Sequence, residues 1–158
     1  MTARHRILQD RTIPFAYRIS FLANFFTGSV YRQVLARHDV ARSEFVLLYC
    51  LHRLGELTAQ QVCDITGRPK NSVSRAVNAM LERGHVVRDT DPADARRGLL
   101  KLTRQGRELV DAALPLFRER EAAMLAPLNA RERDTLDRLL AKLVLRDDPW
   151  ADVADDGD

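Results

Sequence analysis

Lys70, Asn71, Ser72, Ser74 and Arg75 fall within six consecutive residues and bring together an ammonium, a guanidinium, an amide and two hydroxyls. Side chains of these types hydrogen-bond to base edges in the major groove of duplex DNA and to its phosphate oxygens. Further along, Asp94, Arg96 and Arg97 lie in a run of turn formers, Asp91-Pro92-Ala93-Asp94-Ala95-Arg96-Arg97-Gly98. A guanidinium on a narrow hairpin tip suits the minor groove, where the negative potential of A·T-rich DNA attracts it. An acidic side chain beside phosphates is repelled unless it pairs internally, so Asp94 is expected to fix the turn and orient an arginine. Both clusters belong to one segment, Arg68 to Arg107, with ten basic residues against four acidic ones, a net +6 where the whole chain carries only +3.

Each cluster alone has an ordinary explanation. Polar residues opposite an apolar stripe are the solvated face of a surface helix, and arginine pairs in turns are common. Their coincidence with a glycine turn and a hairpin in one basic segment favours nucleic-acid binding. Other chemistries find little support. Cys50 and Cys63 form no Cys-x-x-Cys pair and fall in expected helices, where buried thiols are the ordinary reading. His5, His38, His52 and His85 are dispersed along the chain, so no metal site and no cofactor are expected. No nucleophile elbow, phosphate-binding glycine loop or His-Glu-x-x-His motif is present, and the glycines mark helix ends, so the chain is not expected to be an enzyme.

The elements that must position these residues can be read from periodicity. From Ile13 to about Arg37 the apolar residues occupy more than one face of a helix, which therefore needs covering on several sides, by the chain's own core and by a second subunit. Ser43 is expected to cap a second helix with Phe45, Val46, Leu47, Leu48, Leu51 and Leu54 on its buried side and Gly55 at its end. Thr58 opens a short third helix to about Thr66, with Val62, Cys63 and Ile65 expected inward, that stops at Gly67. Pro69 fits the first turn of the next, whose buried stripe is Val73, Val77, Met80 and Leu81. After Gly84 the pattern becomes extended, with Val86 and Val87 on one strand and Leu99, Leu100 and Leu102 on another. Thr103 caps a long helix expected to bend near Pro115, and Asn129 with Glu132 has the layout of a capping box ahead of the stripe Leu136, Leu139, Leu140 and Leu143.

A length of 158 residues with 46% apolar content suits one ordinary globular domain. Residues 1–10 are polar without a secretory apolar core, and no stretch reaches the roughly 18 apolar residues of a membrane span, so a cytoplasmic protein with no membrane partner is expected. The end is acidic: Arg146 to Asp158 holds one basic residue and six aspartates.

With those features in place, the chain resembles the MarR family of bacterial transcriptional regulators over about Ile13 to Arg146. The most specific stretch is Asp91-Pro92-Ala93-Asp94-Ala95-Arg96-Arg97-Gly98-Leu99-Leu100-Lys101-Leu102-Thr103-Arg104-Gln105-Gly106-Arg107, similar to the family's Asp-x-Arg wing followed by Leu-Thr-x-x-Gly. Gly67 to Arg75 is similar to its turn and recognition helix, and Leu81 to Arg88 to the exit from that helix. The resemblance implies a mainly α fold with a small two-stranded β wing, a winged helix-turn-helix flanked by dimerisation helices. Its expected parts are a flexible N-terminus at 1–10, one domain at 11–146 and an acidic disordered tail at 147–158. Within the domain, dimerisation helices at about 12–37 and 104–145 flank a winged helix at about 43–103.

It further implies a homodimer on a palindromic operator in double-stranded DNA, acting as a repressor. Lys70, Asn71, Ser72, Ser74 and Arg75 then become major-groove or phosphate contacts, Arg96 the minor-groove finger and Arg97 its reserve. Cys63 takes the place of the small alanine usual in such motifs, and Pro69 that of a capping Ser or Thr. Family members respond to small phenolic or carboxylic compounds, for which Tyr17, Phe21, Phe25, Tyr31, His38 and His52 are the pocket candidates. Two alternatives are a winged helix that binds protein rather than DNA and a redox-responsive regulator. The first predicts loss of the basic face, yet Lys70, Arg75 and Arg96 are present; the second resembles a branch with a cysteine near the start of the first helix, where Ile13 to Tyr17 has none.

Overall fold

The computed structural model describes residues 2–90 and 98–145. Among these residues, seven helices and three short strands follow in the order α1 (Ala3–Gln9), α2 (Pro14–His38), α3 (Arg42–Leu54), β1 (Leu57–Thr58), α4 (Ala59–Thr66), α5 (Lys70–Glu82), β2 (Val86–Thr90), β3 (Gly98–Leu102), α6 (Arg104–Leu125) and α7 (Ala130–Val144). The core is one apolar cluster. Val30 and Val34 of α2, Leu47, Leu48 and Leu51 of α3, Val62 of α4, Val73, Val77 and Met80 of α5, Leu100 of β3 and Val110 and Ala113 of α6 all contribute. These positions recur at helical spacing, so each helix turns a single stripe inward and α5 keeps its other face for solvent.

The helix ends are set by local chemistry. Thr58 accepts the Gln61 amide at 3.2 Å while Gln61 Oε1 accepts the Thr58 amide at 2.8 Å, a reciprocal cap on α4. Asn129 and Glu132 do the same for α7, at 3.0 and 2.9 Å. Gly67, at φ 62°, ends α4 in the left-handed conformation that glycine adopts without strain. The start of α3 differs from expectation. It is Ala41, not Ser43, that precedes the first helical residue, and its amide donates to Glu44 Oε2 at 2.7 Å. A carboxylate three residues into the helix serves the open end, so Ser43 sits inside the first turn.

Two further differences concern the edges of the fold. The wing strands β2 and β3 pair antiparallel from Val86↔Leu102 to Thr90↔Gly98, and β1 adds a third strand through Leu57↔Leu100 and Thr58↔Leu99. Two residues are too few to show a strand's alternation, which is why only two strands were expected. Where a flexible N-terminus was expected, Ala3–Gln9 form a helix. It lies against α2, with Arg18 Nε donating to the Leu8 carbonyl at 3.1 Å and the Arg4 guanidinium 5.0 and 4.9 Å from the rings of Phe21 and Phe25. Among the described residues no helix is long and apolar enough to cross a membrane. The acidic segment 147–158 lies outside the described residues.

Candidate nucleic-acid interface

Between α4 and α5 the chain turns through Gly67, whose amide bonds to the Cys63 carbonyl at 2.8 Å. Pro69 then stands just before α5 rather than inside its first turn, and its carbonyl accepts the amides of Ser72 and Val73 at 2.9 and 3.2 Å. The amides of Lys70 and Asn71 have no backbone acceptor among the described residues, so the positive end of the α5 dipole is open toward solvent. Val73, Ala76, Val77 and Met80 hold the opposite face of α5 in the core. That anchoring leaves Lys70, Asn71, Ser74 and Arg75 exposed together, with Ser72 half-buried at their edge. Among the described residues none of these five side chains makes an ion pair or hydrogen bond to the rest of the protein. The helix therefore presents unspent donors on a rigid support, as an external polyanion requires.

The exit from α5 is equally specified. Thr103 caps α6 by accepting the Gly106 amide at 3.0 Å, and its hydroxyl donates to the Gly84 carbonyl at 2.8 Å. Its own amide donates to the His85 carbonyl at 3.1 Å. A Cβ at position 106 would collide with that same carbonyl, so only glycine lets α6 start this close to the wing. The spacing of Leu102-Thr103-Arg104-Gln105-Gly106 is thus a geometric requirement for joining wing to helix. His85 itself is buried, and burial, with Arg83 nearby, pushes its pKa below 6.5.

On the wing, Lys101 Nζ bridges Glu56 Oε1 at 2.9 Å and Asp89 Oδ2 at 3.0 Å, and these bonds, that to Glu56 first, raise its pKa. This lysine is already neutralised within the protein. Arg88 is the additional wing cation that sequence reasoning passed over. It is exposed, and its aliphatic stem crosses Gly98, where a Cβ would lie 2.8 Å from Cδ. Val87–Arg88 has no turn signal, so only the strand register reveals where Arg88 lies. Asp94, Arg96 and Arg97 lie outside the described residues.

The six residues expected to line an effector pocket do not converge. Tyr17 sits beside Ile7 and Ile13 under α1, while Phe21 and Phe25 stack on one another at 5.0 Å beneath Arg4. His38 ends α2, and His52 Nε2 bonds Asp111 Oδ1 of α6 at 3.0 Å. Phe21 and Phe25 border a cavity of about 250 Å³ with Arg4 and Arg120, and Tyr31 lines a separate one of about 470 Å³ between α2, α3 and α6. Phe26, Phe45, Tyr49 and Phe117 share the larger cavity with the cations Arg53 and Arg118 and the anion Glu121. The Phe45 and Phe117 rings stack at 4.6 Å, and Tyr31 meets Phe117 edge-on at 5.5 Å. Burial raises the Tyr31 pKa above 10, so its hydroxyl keeps its proton. Tyr49 and Arg53, like Leu114 and Arg118, are four residues apart on one helix face, a pattern visible in sequence; that the two faces meet is a tertiary fact.

Burial also raises the thiol pKa of Cys50 and Cys63, away from the thiolate that redox sensing uses. Among the described residues no group of three His, Cys, Asp or Glu side chains is placed to hold a metal.

Residues 38–97 match the MarR family. The chain is 26% identical over 120 residues to the HTH-type transcriptional repressor NicR of Pseudomonas putida, spanning 76% of each protein. It is 30% identical over 105 residues to the uncharacterized HTH-type transcriptional regulator YkoM of Bacillus subtilis, covering 66% of this chain and 68% of that one. Among solved structures, it superimposes with a TM-score of 0.72 and 23% identity on Bordetella bronchiseptica BpsR, a protein whose DNA binding is regulated by 6-hydroxynicotinic acid. That match covers 84% of this chain and 94% of the other.

Proposed function

The chain belongs to the MarR family of DNA-binding transcriptional regulators, and from that premise we propose that it is a cytoplasmic repressor that binds a palindromic operator as a homodimer and leaves it when a small aromatic carboxylate binds. The observation that carries this reading is the exposed face of α5, whose donors have no partner in the described protein while the opposite face is locked into the core. Lys70, Asn71, Ser72, Ser74 and Arg75 enter the major groove, and Arg96 reaches the minor groove with Arg97 in reserve and Asp94 bracing the turn. A similarity to the repressor NicR supports the sign of regulation.

Dimerisation is supported by apolar surface that the chain's own core leaves uncovered: Phe15 and Leu22 on α2, and Leu139, Leu143 and Val144 on α7. The effector reading rests on the cavity between α2, α3 and α6. Its volume suits a small ligand, its aromatic walls suit a flat ring, and Arg53 or Arg118 can pair a carboxylate. The regulation of BpsR by an aromatic acid points the same way.

Selection of bound duplexes from a random library by the purified protein tests this reading. A two-fold symmetric site, released on adding hydroxylated aromatic carboxylates, is the expected outcome. Enrichment of no sequence sinks the operator reading, and an operator complex indifferent to every such acid sinks the effector.

A further inference from the structure

Arg83, the residue that ends α5, reaches away from the DNA-facing surface into the corner between α2 and α3. Its Nη1 donates to the Asp39 carbonyl at 2.6 Å and lies 3.6 Å from Glu44 Oε2, while Nη2 lies 3.5 Å from Asp39 Oδ2. The corner is built to receive it. Asp39 caps α2 in the left-handed conformation, at φ 54°, among the described residues the one non-glycine with positive φ. Its amide bonds back to the Leu35 carbonyl at 2.9 Å, and the next residue, Val40, is fully buried. Glu44 is held in turn by the Ala41 amide at 2.7 Å. The guanidinium thus meets a carbonyl whose position is set by the end of α2, the Glu44 carboxylate fixed at the start of α3, and the exposed Asp39 carboxylate.

We propose that Arg83 is a positioning residue that ties the C-terminal end of the recognition helix to the end of α2 and so sets the half-site spacing the protein accepts. This inference rests on the operator reading above. A helix anchored only by its apolar stripe can slide or rotate along that stripe; a charge-assisted bond at its end fixes the remaining freedom. Because α2 carries the exposed apolar face offered to a second subunit, the bond relates each recognition helix to the dimer axis. Each inserted base pair moves a half-site along and around the duplex, since one helical turn is about 10.5 base pairs, so spacing reads out this rigidity.

The test uses the full chain and the duplex obtained by selection. Anisotropy titrations compare that duplex, versions with one or two base pairs inserted between half-sites, and a single half-site, for wild type, Arg83→Ala, Arg83→Lys and Asp39→Asn. For Arg83→Ala, affinity for the selected spacing is expected to fall about tenfold, the worth of one charge-assisted bond, while inserted and single-site duplexes change by less than about twofold. Arg83→Lys and Asp39→Asn, which keep part of the network, should fall between. Circular dichroism and gel filtration establish that each variant is folded and dimeric, and Asp39→Asn serves if Arg83→Ala does not fold. An unchanged spacing profile, or an equal loss on every duplex including the single half-site, overturns the proposal. A wild-type protein that selects no duplex at all overturns the operator reading instead.

Discussion

Cations in the basic segment do different work according to what else they touch. Lys101 is held by Glu56 and Asp89 and closes the wing onto the residue before β1, whereas Lys70 and Arg75 are exposed without a partner among the described residues. Net charge alone could not separate them, because the separation depends on strand register and on a carboxylate far away in sequence. If Arg96 is the minor-groove finger, Arg96→Ala should weaken binding chiefly on A·T-flanked sites and lower the salt dependence by about one phosphate equivalent or less, read from titrations at several salt concentrations. His85 makes a second residue-scale prediction. Burial lowers the pKa of this imidazole in the folded protein while the unfolded chain takes up the proton near pH 6.5, so the unfolded state binds more protons around and just below that value. Stability should therefore fall as pH drops through about 6.5, and His85→Leu should flatten that part of a denaturation series taken between about pH 7.5 and 5.5. An unaltered slope in the variant would remove His85 from the account.

At the scale of elements, the join between wing and α6 is the most constrained place in the described chain. Gly106→Ala drives a methyl group into the His85 carbonyl and should destabilise by about 1–3 kcal/mol in urea unfolding, as overpacking does. Thr103→Ala removes the helix cap and should cost about 1 kcal/mol or somewhat more, since the same hydroxyl also serves Gly84. Thr103 was legible in sequence because a cap demands a particular side chain at a particular offset, whereas Gly106 entered only through the family resemblance, its approach to His85 being a tertiary fact. The buried stripe of α5 and the caps of α4 and α7 were legible too. The start of α3 was not, because Glu44 satisfies the open amide of Ala41 from inside the helix and so removes the need for a capping hydroxyl at Ser43. Nor was α1, a seven-residue helix whose residues are all substantially exposed and whose support comes from contacts with α2 rather than from its own periodicity.

Across the whole molecule, what one chain leaves uncovered matters as much as what it buries. Leu139 and Leu143 on α7 are each 49% exposed, although their spacing announces a buried stripe. The proposed second subunit would resolve the contradiction, and Leu139→Asp with Leu143→Asp should then turn a dimer into a monomer by light scattering and abolish the advantage of a two-half-site duplex over one. The cavity between α2, α3 and α6 proposed for an effector was the least legible feature. Its walls come from three helices, and the aromatic residues of α2 that stand out in sequence, Phe21 and Phe25, lie instead beside Arg4 of α1, with Phe25 still half-exposed. All of these arrangements serve the presentation of α5, and its function can be tested directly. The measurement is a fluorescence-anisotropy titration of wild type and the Lys70→Ala/Arg75→Ala variant against the selected operator and an unrelated duplex, at two salt concentrations. The variant, folded and dimeric, is expected to lose at least about tenfold in preference for the operator, at about 1–3 kcal/mol for each base contact removed. A variant that still prefers the operator as strongly as wild type would contradict that function for α5.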